Sequence, residues 1–418
     1  MKNNLVNEDQ LYDDYMQRGN VRFLTGKYDE AIEDFAQAIA LKPDYAPAYH
    51  FRGYAHREKG DYDRAIDDCN RAIQLQPDYA EAYGNRGVTY SEKREFDRAI
   101  DDLTKAIELK PDLAESYNNR GVIYQRKGDF DRAIEDYNRA LQRRGDYALA
   151  YNNRGMVYMK KGEHEPAIVD FNKAIELHPR YASAHNNRGE VYRTKGDYDL
   201  AIEDFNRVIR LNPDYADAYN NRGLAYSNKG EYDLAIADYN RAIQIDPNHV
   251  MAYTNRGVAY HYKRAFTHAI ADFNKGIELN PNFAGAYTNR GVTYGSKGEY
   301  DRAIADFNRA IELNPDDAET YNNRGNAYSK KGEYRRAVAD YNKAIELNPD
   351  YANAYYNRAQ AWWLRLEEWE NAKLDLAVAK AMGENIIDKF QDDHESVSAF
   401  EERNSLKMPV DIAAMLTQ

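Results

Sequence analysis

The chain aligns with itself every 34 residues, and this repeat restricts the possible fold more than any other feature of the sequence. Rows starting at 12, 46, 80, 114, 148, 182, 216, 250, 284, 318 and 352 superimpose; the first ten need no gap, and the eleventh takes one inserted residue before Trp369. Position 4 of the unit is Tyr in ten rows and His185 in the other; position 8 is Gly in ten rows and Ala359 in the last; position 20 is Ala in all eleven. Position 27 is small except at Val208, and position 32 is Pro in nine of the ten complete rows, Gly145 being the exception. A length of 418 residues would otherwise suggest two or three domains. Equal short units instead call for an architecture in which each unit packs on its neighbours, because one unit cannot bury its own apolar face.

The spacing predicts two helices per unit. Positions 4, 8 and 11 fall on one helical face, as do 17, 20, 24 and 27. Small residues at positions 8 and 20 let the two backbones approach, and aromatic residues at 4, 11, 17 and 24 fill the space around them in most rows. Acids such as Asp61 and Asp63 suit the start of the second helix. The Pro at position 32 ends it, and the Asp at position 33, such as Asp78 or Asp214, is expected to cap the next first helix.

This constellation, Tyr at 4, Gly at 8, Tyr at 11, Ala at 20, an aromatic at 24, Ala at 27 and Pro at 32, resembles the tetratricopeptide repeat over residues 12 to about 382. The resemblance implies an all-α fold: a right-handed superhelical α-solenoid of antiparallel helix pairs, helix A lining a concave groove that holds partner proteins or peptides. The expected organisation is a lead-in over 1–11, eleven repeats over 12–385 with the last degenerate, and a C-terminal helical cap over 386–418. In the cap, Ile386, Ile387, Phe390, Phe400, Ile412 and Leu416 suggest short helices, with Pro409 starting the last.

Two columns depart from the family pattern. Position 7, usually a large aliphatic residue there, is Arg in every row, from Arg18 to Arg358, and position 23 is Asp in every row, from Asp34 to Asp375. Facing residues of an antiparallel pair have a nearly constant index sum. Positions 4 and 27, and 11 and 20, sum to 31, so 7 and 23, summing to 30, are expected to meet as Arg–Asp pairs inside each unit or between neighbours. The Arg fork matches a carboxylate through two parallel bonds and would fix the register. The second column is Asn at position 6: Asn85, Asn119, Asn153, Asn187, Asn221, Asn255, Asn289, Asn323 and Asn357. Asn is a mediocre helix former, so its recurrence asks for a cause. The column resembles the asparagine ladder of the repeat domain of O-linked N-acetylglucosamine transferases, which clamps peptide backbone. That resemblance makes these nine residues the candidate peptide-binding site. The competing expectation is that the Asn residues link one repeat to the next.

Other functions find little support. Net charge is −12 and no basic or aromatic stripe appears, which disfavours nucleic acid. No apolar run reaches the roughly 18 residues of a membrane span, and residues 1–10 carry no apolar signal segment. The single cysteine, Cys69, occupies the aromatic packing slot at position 24 and reads as core. The histidines do not recur at ligand spacing, and the cluster Asp392, Asp393, His394 and Glu395 reads as a solvated helix start; no metal and no cofactor is expected. Position 5 holds no Lys, so the clamp by which some family members grip a C-terminal carboxylate is absent. The repeats leave no room for a catalytic domain. The expectation is a non-enzymatic, cytoplasmic scaffold, monomeric or weakly self-associating, that binds a protein or peptide partner. The alternatives are a regulatory or targeting subunit for an enzyme on another chain, for example a glycosyltransferase, and a purely architectural rod.

Overall fold

A computed structural model describes residues 8–366, 368–404 and 406–417. Residues 1–7 of the expected lead-in lie outside them. The chain forms two compact bodies, Met1–Leu211 and Asn212–Gln418. In both, the regular structure of the described residues is helical, and the helices follow the 34-residue period. The repeat starting at 46, for example, has helix A over Ala46–Lys59 and helix B over Tyr62–Leu75. Within each body, every helix A packs on its own helix B, and helix B on the next helix A.

The local causes of these elements lie in the repeat positions. Helix A ends at position 15 in the left-handed backbone region, where Gly60 (φ 87°) and Gly196 (φ 88°) carry no Cβ penalty. Two repeats place Arg there instead, Arg94 (φ 64°) and Arg264 (φ 59°). Helix B ends at position 30, two residues before the Pro, as at Leu75 and Leu211. The Asp caps do not form. The residue preceding helix A is position 34, such as Tyr45, Tyr79 or Tyr215, and none of these makes a side-chain cap. Asp at position 33 stands one residue too far back. Only where position 34 itself is polar does a cap appear: His249 Nδ1 accepts from the Ala252 N–H and Asp317 from the Glu319 N–H.

The core is a chain of small clusters. Ala at position 20 and the position-24 ring of one repeat meet position 10 of the next, as in Ala133, Tyr137 and Val157, or Ala235, Tyr239 and Ala259. The close approach at position 8 is real: a Cβ on Gly155 would stand 2.7 Å from Phe171 Cε1, and one on Gly325 2.6 Å from Tyr341 Cε1. The last repeat differs. A π-helical turn over Trp362–Leu366 absorbs the inserted residue, so that Asp375 still reaches Arg358 across a sequence gap of 17 instead of 16. Three short helices follow, Ile386–His394, Val397–Asn404 and Val410–Met415. Their Phe390, Phe400, Ile412 and Leu416 pack with Trp363 and Leu376 in one buried cluster.

Candidate functional site

The Arg and Asp columns meet inside each repeat. In all eleven, Arg Nη2 lies 2.6–2.7 Å from Asp Oδ1, and Nε donates to the same carboxylate. The Asp side chains are buried, while the Arg stems pack along the Tyr at position 4, as for Arg256 over Tyr253 at 5.5 Å. The Asp hydrogen bond holds the guanidiniums of Arg86, Arg222, Arg290 and Arg324 above their usual pKa, against burial. Burial lifts the Asp170 and Asp238 carboxyls, with the Arg fork pulling the other way.

The remaining Arg nitrogen uses a column the sequence reading missed. Nη1 reaches back to position 25 of the preceding helix B: Arg86 to Asn70 (2.6 Å), Arg188 to Asn172 (2.6 Å), Arg324 to Asn308 (2.7 Å), Arg358 to Asn342 (2.6 Å), and Arg120 to the Thr104 hydroxyl (2.9 Å). Each Arg therefore ties two repeats. The signal was present as an Asn recurrence at position 25, but an index sum taken within one repeat does not connect it to position 7 of the next.

Arg at position 7 fixes helix A, and the neighbouring position 6 then falls in a column on successive A helices. The nine candidate Asn residues divide into groups. Asn153, Asn187, Asn255 and Asn357 each donate from Nδ2 to the Oδ1 of a position-5 Asn one repeat earlier, at 3.0, 3.1, 3.0 and 2.9 Å (Asn118, Asn152, Asn220 and Asn322). These four link repeats. Asn85 is 6 % exposed, accepts from Arg57 Nη1 at 2.8 Å and points its Nδ2 at Cys69 Sγ. Asn153 is also 6 % exposed. Asn221 accepts from Asn220 Nδ2 at 3.3 Å. Asn119, Asn289 and Asn323 are different: the position-5 residue one repeat earlier is Gly84, Thr254 or Thr288. Among the described residues their Nδ2 groups have no hydrogen-bond partner, and all three side chains are half-buried. Asn119 Oδ1 accepts from Asn118 Nδ2 at 3.3 Å.

Openings lie on the same side. Asn323 lines one of about 260 Å³ with Val292 and Lys330, and Asn119 lines another of about 510 Å³ with Gly84 and Ser116. Among the described residues no group of three His, Cys, Asp or Glu could hold a metal, and no helix is long and apolar enough to cross a membrane. The 392–395 acidic cluster is pulled apart. His394 packs against Phe390 and Phe400, at 5.0 Å from each ring, and Asp393 accepts from the Tyr356 hydroxyl at 3.3 Å. Cys69 is fully buried, and burial pushes its thiol up to about 12.

Comparison with known proteins bears on the repeat as a whole. Among solved structures, a tetratricopeptide repeat protein from Parabacteroides merdae superimposes with a TM-score of 0.51 at 23 % identity, over 59 % of this chain and 98 % of its own. The Cut9–Hcn1 hetero-tetramer of the APC/C gives 0.50 at 16 % identity, over 90 % and 94 %. Yeast Tom70 gives 0.48 at 17 % identity, over 95 % and 97 %. These likenesses concern the fold. No curated protein sequence matches the chain. Models described as tetratricopeptide repeat match residues 114–147, 148–181, 216–249, 250–283 and 318–351, and others of the same description match 16–80, 53–121, 171–203 and 273–305. With a further TPR-repeat model over 189–230 and 293–332, the matches run without a break from residue 16 to residue 351, and the chain belongs to the tetratricopeptide-repeat family.

Proposed function

We propose that this scaffold holds an extended peptide segment of a partner protein, and that the free members of the Asn column grip its backbone. The observation that carries the reading is the pair Asn289 and Asn323. They occupy the same position on successive A helices, Ala284–Ser296 and Ala318–Lys330. Both amides lack a partner among the described residues, although a side-chain amide offers two donors and an acceptor. An extended peptide presents alternating carbonyl and N–H groups that such amides complement. The Asn residues engaged with position 5 serve instead to hold the A helices in register.

Each amide–backbone bond contributes about 0.5–1.5 kcal/mol, so the effect of one is small and that of two is measurable. The test is to pan a displayed library of 12-residue random peptides on the full chain and to compare the captured peptides on an Asn289→Ala/Asn323→Ala variant. Ala is the better helix former, so folding is retained and affinity falls about tenfold. Equal capture by the variant would move the binding surface away from this column.

A further inference from the structure

The pocket at Gly84 in the first body is where the inter-repeat Asn link is interrupted. Position 5 of this repeat has no side chain, and a Cβ built there would meet only the Ser116 hydroxyl, at 3.6 Å. The resulting opening of about 510 Å³ is lined by side chains from three successive A helices, Ala46–Lys59, Ala80–Glu92 and Ala114–Arg126. Its floor holds polar groups without partners. Ser116 is 1 % exposed, and its hydroxyl has no hydrogen bond among the described residues. Asn119 Nδ2, which in other repeats would bond to a position-5 Asn, has none either. His50, 9 % exposed, lines the same pocket with an unpartnered Nδ1. Buried polar groups left this way cost free energy unless something satisfies them.

The charges around the pocket are already matched. Arg57 gives Nη1 to Asn85 and Nη2 to Glu58 at 2.6 Å. At the rim Glu81 accepts from Lys110 and Glu115 from Arg144, both at 2.7 Å. Burial pulls the His50 pKa down to about 4, so the ring is neutral at pH 7. A carboxylate entering here would approach two carboxylates, and an ammonium would meet a floor of N–H and O–H donors. A neutral group with a carbonyl at one end and N–H at the other suits both: the carbonyl toward Asn119 Nδ2 and Ser116, the N–H toward Glu81 and Glu115. Val88 and Leu113 form aliphatic walls for the methylenes of such a side chain.

The geometry points to this pocket as an anchor site for a primary carboxamide, the side chain of a glutamine or asparagine in a bound peptide. The assignment deepens the peptide-scaffold reading and rests on it.

The experiment is a titration of the full chain, labelled with ¹⁵N-asparagine, with N-acetylglutamine methylamide, followed through the Asn119 side-chain NH₂ signals. Those signals are assigned by their loss in Asn119→Ser. Saturable shifts in the millimolar range are expected, with the matching glutamate and lysine amides at least tenfold weaker. Gly84→Asn should weaken the glutamine probe at least tenfold, because the introduced amide would accept Asn119 Nδ2 as Asn118 accepts Asn153. This substitution removes a mid-helix Gly and meets no close atom, so the fold is kept. Equal binding of the three amides, equal binding to Gly84→Asn, or no shift at Asn119 would overturn the assignment. If the peptide capture that depends on Asn289 and Asn323 persists while Asn119 stays silent, the pocket assignment alone has failed. If that capture is lost from the reading while Asn119 responds, the pocket stands and the extended groove does not.

Discussion

Arg154→Ala tests whether the Arg–Asp ladder holds the repeats together. Asp170 is 3 % exposed as a side chain, Arg154 is 19 % exposed, and among the described residues Arg154 is the only hydrogen-bond partner of the Asp170 carboxylate. Removing the guanidinium strands a buried carboxylate and also frees Asn138, which the same Arg bonds. Breaking a buried pair from one side costs about 3–5 kcal/mol. Proton uptake sets a ceiling: neutralising a carboxyl with an unfolded pKa of ~3.9 costs about 4 kcal/mol at pH 7 and about 1.5 kcal/mol at pH 5. The expected loss is therefore 3–4 kcal/mol at pH 7, roughly two to three decades in a local opening constant. The pH dependence has a definite sign. Burial already raises the Asp170 pKa in the folded chain, and the variant raises it further. Its folded state then binds more protons than the unfolded state, so stability is retained below the unfolded pKa and lost as pH rises through the folded one. The gap between variant and parent should thus narrow on going from pH 7 to pH 5. Arg188→Ala is the internal comparison, because Asp204 keeps a second partner, His185 Nδ1 at 3.0 Å; its loss should be smaller by about 1 kcal/mol. Long repeat arrays do not unfold in a single step, so the assay is amide hydrogen exchange read over the helices Ala148–Lys160 and His164–Leu177. A loss under about 1 kcal/mol, the size of a surface pair, or no narrowing at pH 5 would refute the reasoning.

Two further outcomes follow from the helix crossings and turns. Gly155→Ala places a Cβ 2.7 Å from Phe171 Cε1 and should cost about 1–3 kcal/mol by overpacking; adding Phe171→Leu, which mimics the Ala359 and Leu376 of the last repeat, should restore part of it in a thermal melt. Arg94→Gly relieves a non-Gly residue at φ 64° and should raise stability by about 0.5–1 kcal/mol, seen as slower exchange of the amides in Ala80–Glu92.

Much of the helical frame was legible in the sequence because its determinants are local and recur. Gly at position 8 has a ring at position 24 to make room for, and the index sum that matched positions 4 and 27 also brought Arg18 to Asp34 and Arg358 to Asp375. The caps were misread because one residue of register separates Asp78 from the actual helix boundary at Tyr79. A periodic pattern fixes the length of a helix more firmly than its first residue. The position-25 Asn residues went unnoticed because their partner lies in the following repeat, where the sum rule for one hairpin does not apply. For the Asn column the sequence offered two explanations, peptide binding and repeat linking. The hydrogen bonds assign the second to Asn153, Asn187, Asn255 and Asn357, and no regularity at position 6 alone could have separated these from Asn289 and Asn323.

The separation does follow from reading positions 5 and 6 together. Where position 5 is Asn118, Asn152, Asn220 or Asn322, the Asn one repeat later spends an N–H on it; where it is Gly84, Thr254 or Thr288, that N–H stays open. Thr254 turns its hydroxyl back to the Val250 carbonyl at 3.0 Å, and Thr288 bonds across to Thr320 at 2.9 Å, so neither reaches the following amide. Register within each body does not depend on those links, because Arg at position 7 already ties its own Asp and the preceding helix B. A repeat can therefore lose its position-5 Asn without losing its place in the stack, and what it gains is an unsatisfied amide facing outward from helix A. The strict column supplies the mechanical continuity, and the irregular one beside it decides where a ligand can be gripped.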